Sequence, residues 1–91
     1  MKTDHDLAKA DIILESRKTD NTYYLFSDMI VIKGGHEDVI ELPGKNEILC
    51  FCDMYYELDE LHIFAATTRS YDAMYVLDEY DLTITRKGYR K

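Results

Sequence analysis

Apolar positions fall in short runs separated by turn residues at close spacing. Residues 23–26 are aromatic and aliphatic, Ser27 and Asp28 follow as a turn pair, and residues 29–33 form a second apolar run. Gly34 and Gly35 supply the backbone freedom for the next turn. Residues 39–42 form a short run that Pro43, Gly44, Lys45 and Asn46 end with strong turn chemistry. Runs at 48–56, 61–68 and 73–77 are rich in β-branched and aromatic residues. Leu82, Thr83, Ile84 and Thr85 alternate apolar and polar, the pattern of a strand with one wet face. These segments predict seven or eight short strands joined by turns of a few residues, hence antiparallel pairing. The fold class expected is mainly β: a small meander or sandwich, built as a single domain over residues 1–91.

The start of the chain has two readings. Thr3 and Asp6 fit a loose capping pattern, and Leu7, Ala10 and Leu14 share one helical face. A short helix over residues 4–10, running on as far as Lys18, is one reading. The other takes Ile12, Ile13 and Leu14 as the start of a strand.

A weak internal echo is present. Residues 13–28 overlay residues 64–79 without gaps, and residues 29–35 match residues 82–88 after a two-residue insertion. The spacing falls in the range of β-propeller blades, and residues 47–88 read as one four-stranded blade. Two blades cannot close a propeller. The echo therefore predicts a sandwich of two similar sheets, self-association of blade-like halves, or the generic likeness of any two meanders.

Composition narrows the functional classes. Eighteen acids against eleven bases give a net charge of −7. Nucleic acid is then excluded as a direct partner, because binding it depends on basic contacts to phosphate. The 46% apolar content suits a folded chain. No apolar leader is visible at the start and no run approaches a membrane span, and two cysteines do not make a secreted disulfide framework. A cytoplasmic protein without membrane contact is expected.

The charge is unevenly placed. Residues 1–45 carry nine acids and six bases, residues 46–81 carry nine acids and only Arg69, and residues 82–91 carry four bases and no acid. Consecutive antiparallel strands turn at alternate ends of a sheet. The turns after the first and third strands of the second half therefore share one end. Those turns hold Glu57, Asp59, Glu60, Asp78, Glu79 and Asp81, with Tyr55, Tyr56 and Tyr80 beside them. The basic tail, residues 86–91, is placed at the opposite end. Acidic turns also serve solubility and deter edge pairing. A carboxylate rim with aromatic anchors is equally the make-up of a protein interface.

Other chemistry is weaker. In a hairpin with Asp59 and Glu60 at its tip, Cys52 pairs near Thr67, and His62 lies across from Glu57, away from both thiols. Cys50 and Cys52 alone fall short of a zinc ligand set, and residues 78–81 lack the glycine and spacing of a calcium loop. No metal or cofactor is expected. His36, between Gly35 and Glu37, and His62 are the histidines on which acid–base chemistry would rest. No nucleophile elbow or phosphate-binding glycine loop accompanies them.

The expectation is a non-enzymatic binding protein that occludes a basic surface of a partner protein. Inhibitors of nucleic-acid-processing enzymes have this profile of charge and size, among them immunity proteins against toxins and phage anti-defence or anti-CRISPR proteins. The alternative is a structural or assembly module that forms homo-oligomers through its blade-like sheet halves.

Overall fold

The computed structural model describes residues 6–44 and 46–90. Eight strands run in order: β1 (Ile12–Glu15), β2 (Thr22–Leu25), β3 (Met29–Lys33), β4 (Asp38–Glu41), β5 (Ile48–Glu57), β6 (Glu60–Thr67), β7 (Asp72–Asp78) and β8 (Thr83–Arg90). They form two antiparallel four-stranded meanders, β1-β2-β3-β4 and β5-β6-β7-β8. The echo aligns strand with strand, since β1, β2 and β3 fall on β6, β7 and β8.

Among the described residues the expected N-terminal α-helix does not form. Leu7–Lys9 form a single 3-10 turn, capped by the Asp6 carboxylate, which accepts from Ala8 N at 3.1 Å. Thr3, the other half of the expected cap, lies outside the described residues. Ala10 is already extended, and Ile12, β-branched like Ile13, opens β1. The tail also departs from expectation. Residues 86–90 continue β8, pairing with β7 past a bulge at Lys87.

Alternation explains the core. Tyr23 and Leu25 of β2, Ile30 and Ile32 of β3, Leu61, Ile63 and Ala65 of β6, and Ala73, Tyr75 and Leu77 of β7 all turn inward into one buried cluster. On β5 the buried residues are Ile48, Phe51 and Met54. Their spacing of three follows from two bulges, at Leu49 and Cys52, each of which shifts the inward face by one residue. The β5–β6 hairpin turns at Leu58 and Asp59, not at Asp59 and Glu60, because Glu57 pairs with Glu60. His62 therefore lies opposite Tyr55 rather than Glu57, and Ile48 rather than Cys52 pairs with Thr67.

The outer faces differ. On the second sheet Phe64 is 3% exposed although it points away from the main core. Tyr55 stacks on it at 5.3 Å, and the Arg90 guanidinium lies 3.9 Å above its ring while bonding Asp53 and Asp72 at 3.0 Å. On the first sheet one register row, Ile13, Tyr24, Val31 and Val39, crosses all four strands. Ile13 in that row is 51% exposed.

Candidate functional site

The loops β1–β2, β3–β4, β5–β6 and β7–β8 gather at one end of the molecule. Local chemistry sets each of them. Gly34 has φ +118°, and a Cβ there would sit 2.3 Å from Asp20 O. Only glycine lets the β3–β4 loop approach the β1–β2 loop this closely. The approach is fixed by His36 N donating to Asn21 Oδ1 at 2.8 Å.

The β7–β8 turn is organised by Asp78, whose Oδ1 accepts from Tyr80 N and Asp81 N, both at 2.9 Å. The Asp81 and Tyr80 amides hold the Asp78 carboxyl below the usual carboxylate range. Leu82 closes the turn at φ 58°, and Leu58 sits in the β5–β6 turn at φ 59°.

Glu79 departs from the rim that the sequence suggested. It is 4% exposed and turns inward between the sheets. Its Oε1 accepts three hydroxyls: Ser16 Oγ at 2.6 Å, Tyr56 OH at 2.7 Å and Tyr23 OH at 2.9 Å. Its Oε2 is buried without a hydrogen-bond partner among the described residues. Ser16 Oγ in turn accepts from Lys18 N and Thr19 N, so the β1–β2 loop curls round this hydroxyl. Burial, with Glu79 beside them, pushes the Tyr23 and Tyr56 phenols above their ordinary range.

Tyr56 is likewise half-buried rather than displayed. Its hydroxyl accepts from Arg17 N at 2.9 Å, and the Arg17 guanidinium covers its ring at 4.3 Å. Arg17 Nη1 also reaches Leu58 O at 3.4 Å. One loop thus holds both acidic turns, the β7–β8 turn through Ser16 and the β5–β6 turn through Arg17. Tyr55 lies on the outer face with Phe64 and His62. His62 is 8% exposed, with Nε2 at 3.2 Å from Glu60 Oε1 and Nδ1 at 3.6 Å from Glu57 Oε1.

Of the expected rim, Glu57, Asp59, Glu60, Asp78 and Asp81 stay on the surface, with Tyr80 70% and Tyr55 37% exposed. Leu58 stands among them at 88% exposure. It was not singled out from the sequence, although an aliphatic residue between Glu57 and Asp59 in a turn was the available signal. The two arginines of β8 are paired in place: Arg86 with Glu47 at 3.2 Å, Arg90 with Asp53 and Asp72 at 3.0 Å.

Beside the rim a cleft of about 390 Å³ opens between the β1–β2 loop, the β3–β4 loop and the β7–β8 turn. Its walls include Lys18, Asp20, Asn21, His36, Glu79 and Tyr80. Among the described residues no three His, Cys, Asp or Glu side chains gather as a metal-binding set. No described helix is long and apolar enough to cross a membrane. No protein-family model, no curated protein and no solved structure matches the chain.

Proposed function

We propose that this protein is a non-enzymatic cytoplasmic binding protein whose acidic end occludes a basic surface of a partner, such as the nucleic-acid groove of a processing enzyme. The reading is supported above all by Leu58. A large aliphatic side chain at 88% exposure contributes little to folding, and here it is held at the tip of a hairpin between two carboxylates. Tyr80 gives a second exposed apolar surface on the neighbouring turn. Apolar anchors within a charged rim are the usual make-up of an interface, in which the anchors carry affinity and the charges steer the approach. The mutual repulsion of Glu57, Asp59, Glu60, Asp78 and Asp81 is relieved by a cationic surface.

The test is affinity capture from the native host on immobilised protein, run in parallel with the variant Glu57→Lys/Asp59→Lys/Glu60→Lys and with Leu58→Ser. The expected result is a basic protein retained by the wild type, released by salt, and lost from both variants. A partner held equally by all three forms would overturn the reading.

A second reading, an association module, is favoured by Ile13, which stands 51% exposed at the edge of the apolar row Ile13, Tyr24, Val31 and Val39. Sedimentation of wild type and Ile13→Lys decides it: a monomer at high concentration in both removes it.

A further inference from the structure

Glu79 belongs at once to the clasp between the sheets and to the wall of the cleft. Three hydroxyls serve Oε1, while the buried Oε2 has no partner among the described residues. A carboxylate oxygen left bare in the interior is costly, more so than a neutral orphan. What it lacks is a donor, and a charged donor serves it best.

The cleft selects for such a donor. Glu79 and Asp20 line it, and the carboxylates of Asp78 and Asp81 flank Tyr80 on the same turn, so an anion is repelled. Lys18 is the cation of the lining, and its field falls on Asp78 outside the clasp. The exposed Tyr80 ring offers a face to a flat cation. A guanidinium is planar, weakly hydrated and rich in donors, whereas an ammonium is compact and tightly hydrated.

We infer that this cleft is a receptor pocket for one arginine side chain of the partner, with the Glu79 carboxylate in its wall as the anionic acceptor and Tyr80 as its stacking surface. The identity of the arginine's owner rests on the function proposed above. The pocket itself does not, because an isolated guanidinium is enough to fill it. Lys18 is then a resident competitor that tunes the pocket.

The experiment is a titration of the 15N-labelled full chain with N-acetyl-arginine amide at fixed ionic strength, followed by NMR. N-acetyl-lysine amide and sodium chloride serve as comparison probes. The expected result is saturable shifts at the amides of Asn21, His36 and Tyr80. Binding weakens by about tenfold or more in Glu79→Gln, which keeps a carbonyl oxygen for the three hydroxyls. It weakens also in Tyr80→Ala, and tightens by about threefold in Lys18→Gln. The amide positions of Ile63 and Ala65 report whether each variant is folded. If Glu79→Gln does not fold, the opposite responses of Tyr80→Ala and Lys18→Gln carry the test. Shifts that do not saturate, equal binding of the lysine probe, or an unchanged response in folded variants would overturn the assignment. The Glu57→Lys/Asp59→Lys/Glu60→Lys variant separates the two claims: it retains the arginine probe even where it loses a partner.

Discussion

Ser16 Oγ lies 2.6 Å from Glu79 Oε1, although 63 residues separate the two in the chain. The bond ties a loop of the first sheet to a turn of the second, and Tyr23 and Tyr56 complete the tie from either side. Tyr23→Phe removes one donor to a charged acceptor and is expected to cost about 1.5–3 kcal/mol. Ser16→Ala falls in the same range. Because they share one oxygen, the double variant departs from additivity by roughly 0.5 kcal/mol or more. Urea unfolding of the two single variants and the double variant checks both statements.

The same hydroxyls make the fold sensitive to alkali. Burial raises the Tyr23, Tyr56 and Tyr75 phenols above their unfolded value of about 10. The neutral phenol is therefore the form the fold prefers. This contribution is complete below pH ~10 and is lost as pH rises from there toward the folded values. The urea midpoint is expected to hold level up to that point and then fall. Tyr23→Phe removes a large part of the fall, and an unchanged alkaline slope in that variant would contradict the prediction.

Gly34→Ala and Gly88→Ala form a matched pair. At Gly34 the new Cβ meets Asp20 O at 2.3 Å in a left-handed backbone. Strain of roughly 1–3 kcal/mol is expected from the backbone alone, with the clash added to it. At Gly88 nothing lies within 4 Å of the new Cβ. There the change is expected to be neutral or stabilising by up to about 1 kcal/mol. Thermal unfolding of the two variants distinguishes them directly.

Cys52 sits at a bulge on the surface, yet its thiol is a poor nucleophile. Its Sγ donates to Phe64 O at 3.5 Å, and burial pushes its pKa up to about 11. Alkylation at pH 8 is expected to be about 100-fold slower than for an ordinary thiol, since only the thiolate reacts. Iodoacetamide labelling between pH 8 and pH 10, followed by mass spectrometry of the peptide, measures it. Labelling at the ordinary rate would show that Cys52 is more open than its geometry implies.

Arg90 covers Phe64 and joins Asp53 to Asp72. Arg90→Ala uncovers the ring and is expected to cost about 1–2 kcal/mol. Arg90→Lys keeps the charge but loses the flat contact, so it recovers only part of the loss. Comparison of melting temperatures at low and high salt separates the stacking contribution, which persists in salt, from the ionic one.

The strands were legible because alternation is local. Leu82 to Thr85 announces its wet and dry faces without reference to any other element. The conflict at the start was local too: Leu7, Ala10 and Leu14 keep helical spacing, but Ile12 and Ile13 favour extension, and the extended form pairs with β2. The hairpin tip was misplaced because Leu58 carries no turn signal, so the expected register ran two residues out of step. Arg86 and Arg90 looked like a tail because the bulge at Lys87 hides their alternation. The rim was legible as a set of turns. Which of its acids turns inward was not, because the hydroxyls that capture Glu79 come from positions 16, 23 and 56. Nothing in the stretch 78–81 distinguishes Glu79 from its neighbours.

The bulges at Leu49, Cys52 and Lys87 all lie on the outer strands of the second sheet. A strand that docks on such an edge needs several hydrogen bonds in unbroken step. On β5 the longest regular stretch is residues 53–57, which has a carboxylate at each end. On β8 the regular stretch ends at Arg86, and the bulge itself carries the charge of Lys87, which a stacked copy would meet. A protein with this much β-structure carries an inherent risk of growing into fibrils. In this fold the largest sheet is interrupted along both borders, so a concentrated solution of the native protein should resist templated growth there.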